Sequence, residues 1–126
     1  MGAVSEQGSD GVAPGPAGPV AGVLATIAVQ ARRTNQVRIA QIRAALDRAS
    51  HQELDRGSWA AVERTAHQLA GSAGTFGFAG VSERARRLEQ IFAVAGSVPP
   101  DDERLAVARA VLEEASAQLE ENAQPD

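Results

Sequence analysis

"SWAAVERTAHQLAGSAGTFGF", residues 58–78, carries two patterns side by side. Trp59, Val62, Ala66, Leu69 and Ala73 recur every three or four residues, the spacing of one buried face of an α-helix. Gly71, Gly74 and Gly77 then place three glycines in seven residues, which ends the helix near Gly74 to Gly77. Ser58 is read as its N-cap, closing a turn made by Asp55, Arg56 and Gly57. At ~100° per residue, His67 falls roughly 120° from the centre of the apolar stripe and faces solvent on the flank.

The same spacing runs outward in both directions. Before this helix, no Gly other than Gly22 and no Pro interrupts Val20 to Ala49, and Val20, Val23, Leu24, Ile27, Ala31, Ile42, Ala45, Leu46 and Ala49 form one stripe. A single long helix follows, and Thr34 and Asn35, where the stripe turns polar, mark where it could bend. After the glycines, a helix beginning by Val81 buries Val81, Ala85, Leu88, Phe92 and Ala95. "GSVPPDD", residues 96–102, breaks the chain, because proline and the residue before it resist helix interiors. The last helix opens on acids that suit its positive end and buries Leu105, Ala108, Leu112, Ala115 and Leu119. The expected fold is all-α, an antiparallel four-helix bundle.

Composition sets the bounds. The chain has 126 residues. Residues 1–19 hold five glycines and three prolines with almost no large apolar side chain, and are expected to be a disordered tail or linker. Residues 20–122 are then one bundle domain, enough for one core and too short for two. The absence of cysteine excludes disulfides and thiolate metal sites. Net charge is −4, and all twelve basic residues are arginine, without the positive balance expected of a nucleic-acid binder. The longest apolar run is far short of the ~20 residues of a membrane span, and the N-terminus has no secretory pattern. A cytoplasmic, monomeric protein with no nucleic-acid or membrane partner is expected.

The surroundings of His67 are bare. At helical spacing its neighbours are Glu63, Arg64, Ala70 and Gly71, with Gly74 beyond. A glycine inside a helix costs about 1 kcal/mol relative to alanine. Two readings stand: Gly71 lets a partner reach the imidazole edge, or His67 is an ordinary surface residue near a fraying helix end. His51, in a polar turn, is read as a surface residue, and no metal site is expected. Phe76 and Phe78 are expected to close the end of the bundle, and Ser72 to bond back to its own helix.

"AHQLAGSAGTFGF" at 66–78 together with "RARRLE" at 84–89 resembles the signature of histidine phosphotransfer domains. There a bundle-borne histidine, a run of small residues and a Leu-Glu on the next helix recur. The segment is also similar to the phosphoacceptor domain of chemotaxis histidine kinases. The resemblance implies that His67 is the phosphoacceptor through Nε2, that Glu89 orients its ring through Nδ1, and that Arg64, Ala70, Gly71 and Gly74 form a docking surface. Many members carry lysine three residues after the histidine, where this chain has Ala70. Arg64 and Arg86 are the candidate replacement cations, each with a planar fork suited to phosphate, and Arg86 is favoured because it lies on the same flank as Glu89.

The function so implied is that of a phosphorelay intermediate exchanging a phosphoryl group with receiver-domain aspartates or a histidine kinase. It would have no ATP site and no cofactor of its own, with Mg²⁺ expected on the partner domain. The alternatives are the phosphoacceptor domain of a larger chemotaxis-type kinase and a docking bundle without transfer activity.

Overall fold

The computed structural model describes residues 19–51, 54–95 and 98–122. Four helices carry the described chain: α1 Pro19–Ser50, α2 Arg56–Thr75, α3 Ala79–Ala95 and α4 Asp102–Asn122. The expected tail, apart from Pro19, lies outside the described residues. None of the helices described is long and apolar enough to cross a membrane.

The chain divides into two units, residues 1–30 and 31–126. In the first, the described residues are helical and their large apolar side chains are exposed. Val20, Val23, Leu24 and Ile27, expected in the core, are 60%, 57%, 55% and 42% exposed. The stripe has the right period, but a period records which face could be buried and not whether anything covers it.

The second unit is the four-helix bundle, built from the remainder of α1 with α2, α3 and α4. Pairs across it run in opposite chain directions, which makes sequence neighbours antiparallel. Asn35 of α1 meets Ser72 of α2, His67 and Gly74 of α2 meet Glu89 and Ser82 of α3, and Arg84 and Gly80 of α3 meet Glu114 and Gln118 of α4. The α4–α1 side is closed by two arginines. Arg43 forks onto Glu113 at 2.8 and 2.9 Å and holds that carboxyl below its ordinary pKa through the hydrogen bond. Arg109 donates to Asp47, to the Leu46 carbonyl and to Ser50 Oγ, satisfying groups in the last turns of α1.

The inner faces of α2, α3 and α4 are the expected ones, and each residue named for them is buried. Trp59 and Phe92 stack in a tilted pair with centroids 5.9 Å apart. On α1 the buried stripe begins at Asn35 and continues through Ile39, Ile42 and Leu46. The helix runs through Asn35 without interruption. This amide is fully buried because both ends are satisfied: Nδ2 donates to Ser72 Oγ at 3.1 Å and Oδ1 accepts from Arg38 at 2.8 Å. Ser72 is thereby an interhelical partner, where a bond to its own helix was expected.

Helix boundaries follow local chemistry. The N-cap of α2 is Asp55, three residues before the expected Ser58, and its carboxylate accepts from the Ser58 backbone N–H at 2.8 Å. That bond pulls the Asp55 carboxyl below its ordinary pKa. Asp101 caps α4 in the same way through the Arg104 N–H. At the end of α2, Phe78 N–H donates to the Ala73 carbonyl and Gly77 N–H to that of Gly74, the paired bonds of a Schellman turn, with Gly77 at φ 84°. Only glycine adopts that angle without strain. Phe78 then folds onto the core, while Phe76 stays partly exposed.

Candidate functional site

His67 lies in the middle of α2 and Glu89 in the second half of α3. The Schellman turn sends α3 back along α2, and a close approach sets their register. Ser82, buried on α3, donates to the Ala70 carbonyl at 2.8 Å, and a Cβ added at Gly74 would lie 3.3 Å from Ser82 Oγ. Two turns of α2 before Gly74, this register brings His67 Nδ1 to 2.8 Å from Glu89 Oε2.

A carboxylate can only accept, so the shared proton is on Nδ1 and Nδ1–H donates to Glu89. In the neutral ring, Nε2 then carries the lone pair. The imidazole is 74% exposed and the glutamate 29%, so the orienting group is sheltered and the free nitrogen is in solvent. Around them is an open groove of about 390 Å³, lined by Ala60, Glu63, Arg64, His67, Gln68 and Glu89.

The remaining expected site residues separate. Arg64 lines this groove. Gly71 is exposed, and a Cβ added there meets nothing within 4 Å, so the bundle's own packing does not require glycine. Gly74 is exposed too, but on its inner side a Cβ would crowd the Ser82 hydroxyl at 3.3 Å. Ala70 does not belong to a docking surface: it is 4% exposed and packs into the core. Its position leans 60° further towards the stripe than that of His67, as three helical steps require.

Arg86 is on the α2-facing flank of α3, but its guanidinium points toward Gly74, with Nη2 4.0 Å from the Cβ position there. Helical side chains lean toward their own N-terminus, and in antiparallel helices this carries Arg86 away from the His67 ring. Arg84 is on the opposite flank, paired with Glu114 at 3.1 Å. His51 donates from Nδ1 to the Asp47 carbonyl at the end of α1. No group of three potential metal ligands occurs among the described residues. Sequence reasoning missed Ser82 and Asn35. Asn35 had a signal, a polar residue at a stripe position between Ala31 and Ile42, whereas Ser82 had none.

No curated protein and no solved structure matches the chain. The model of the Hpt domain family matches residues 27–122. That match spans the four bundle helices and includes the His67–Glu89 pair, and the chain belongs to the Hpt domain family, the histidine phosphotransfer domains of phosphorelay signalling.

Proposed function

We propose that His67 is the phosphoacceptor of a phosphorelay intermediate that exchanges its phosphoryl group with receiver-domain aspartates. The observation that carries this reading is the Nδ1–H to Glu89 bond on an imidazole whose Nε2 edge is open. The Nε2 lone pair attacks the phosphorus of a receiver's aspartyl phosphate, the N–P bond forms, the P–O bond to the aspartate breaks, and the carboxylate leaves. The ring, still protonated at Nδ1, then carries a positive charge that the Glu89 carboxylate faces. Reversal of the step passes the group on.

The chain serves as a carrier without an ATP site, and Mg²⁺ with its ligands belongs to the partner. The match to the Hpt domain implies kinases and receiver domains as partners. Arg64, in the His67 groove, and Arg86, beside Gly74 two turns away, suit an anionic partner surface. Arg86→Ala is expected to slow transfer while leaving the lifetime of the isolated phosphohistidine unchanged.

Incubation with a panel of phosphorylated receiver domains tests the reading. Rapid appearance of an acid-labile, base-stable phosphate, absent in His67→Gln with unchanged circular dichroism, is expected. Retained labelling in His67→Gln would move the acceptor, with His51 the one other histidine in the sequence.

A further inference from the structure

The flank of α3 away from His67 has an opening of its own. Between α3 and α4 is a groove of about 410 Å³ lined by Arg87, Gln90, Ile91, Val94, Arg104 and Val107. The Arg84–Glu114 pair sets a register in which Ile91 lies opposite Val107 and Val94 opposite Arg104. Val94 and Val107 are 47% and 45% exposed, and Ile91 is half-buried against the core, so the floor is an apolar strip that α3 and α4 share.

An arginine stands at each end. Arg87 is seven residues before Val94, about 10 Å along the helix. Neither Arg87 nor Arg104 makes an ion pair among the described residues, although Arg84, further along the same α3–α4 seam, pairs with Glu114, and Arg43 and Arg109 pair across the α4–α1 side. These two guanidinium groups therefore stand beside apolar surface with no carboxylate partner among the described residues. Glu103, one turn before Val107, is the acid nearest in sequence on the outer side of α4.

We propose that the α3–α4 groove is a second docking surface, which takes an acidic amphipathic helix of a partner protein. Apolar side chains at three- and four-residue spacing fill the strip of Ile91, Val94 and Val107, and carboxylates about two turns apart meet Arg87 and Arg104. Glu89 and Val94 are about 140° apart around α3, so a helix bound here leaves the imidazole uncovered. A partner held on this flank keeps its reacting domain at high local concentration beside His67. Occupancy of the groove does not depend on the chemistry of His67.

The test uses the full chain and a synthetic, helix-stabilised peptide with leucines at i, i+3 and i+7 flanked by glutamates, against the same peptide with lysines for glutamates. Expected are backbone amide shifts centred on Arg87, Ile91, Val94 and Val107, and affinity for the glutamate peptide about tenfold or more above that for the lysine peptide. The double variant Arg87→Glu/Arg104→Glu should reverse that preference, Arg87→Gln/Arg104→Gln should abolish it, and His67→Gln should bind as wild type does. Circular dichroism checks that each variant keeps its helices.

Equal affinity for both peptides, unchanged affinity in the glutamine variant, shifts centred on His67, or no binding at millimolar peptide would each overturn the proposal. A concentration-dependent doubling of mass that Val94→Asp removes would overturn it as well, by showing that a second copy fills the groove.

Discussion

At His67 the bundle contributes orientation and access. Glu89 accepts a hydrogen bond from Nδ1–H from a sheltered position, and this leaves Nε2 as the ring nitrogen without a partner in the bundle. Removing it in Glu89→Ala leaves both tautomers available, and transfer is expected to fall about tenfold, about 1.4 kcal/mol in barrier. Imidazole ¹⁵N shifts check the cause: they should report Nδ1–H in the wild type and a tautomer mixture in the variant. An unchanged tautomer with slowed transfer would place the action of Glu89 in docking. Gly71 leaves the flank beside the ring bare. Because a side chain there meets nothing in the bundle, Gly71→Gln should hold or raise stability by up to about 1 kcal/mol, the helix-propensity difference. The same side chain stands one turn from the ring and should slow transfer strongly; transfer at the wild-type rate would mean that nothing needs to approach over that residue.

At the scale of the elements, α2 carries His67, and its two ends set where the histidine stands. Its first turn depends on the Asp55 carboxylate accepting from Ser58, which lowers the folded-state pKa of Asp55 below its unfolded value. Stability from a group shifted in this direction is present in full above the unfolded pKa and is lost as pH falls through the folded one. The melting temperature of Asp55→Ala should therefore lie below that of the wild type near neutral pH, and the gap should narrow below about pH 4. A gap that stays constant with pH would assign the effect to the backbone turn and not to the charge. At the other end, Gly77 at φ 84° and the Gly74–Ser82 contact determine how α3 returns, and with that the level at which Glu89 meets His67.

For the whole molecule, burial is uneven among residues that share the helical apolar period. Leu24 is 55% exposed and Leu88 fully buried, although both occupy apolar-stripe positions. Leu88→Ala should cost about 2–5 kcal/mol through lost contacts and a residual cavity, while Leu24→Ala should stay within about 0.5 kcal/mol. Chemical denaturation of the two variants measures both. A large loss from Leu24→Ala would show that the first unit contributes to the stability of the bundle.

Local rotation is readable from residues alone. Trp59, Val62, Ala66, Leu69 and Ala73 share one face because each helical step turns ~100°, and no neighbour can change that. The inner faces of α2, α3 and α4, the breaks at Gly77 and at the prolines, and the outward position of His67 all follow from this rotation and from local backbone chemistry. The pairing of faces is a different quantity, set by the lengths, register and rotation of neighbouring helices far away in the chain. It left Val20 to Ile27 exposed, drew Asn35 into the core once Ser72 and Arg38 could satisfy its amide, buried Ala70, and turned Arg86 toward Gly74. It also brought Glu89 to His67. At 80° from the core centre of its helix, a glutamate can meet a neighbour or solvent equally well, and only the packing of α3 against α2 determines which.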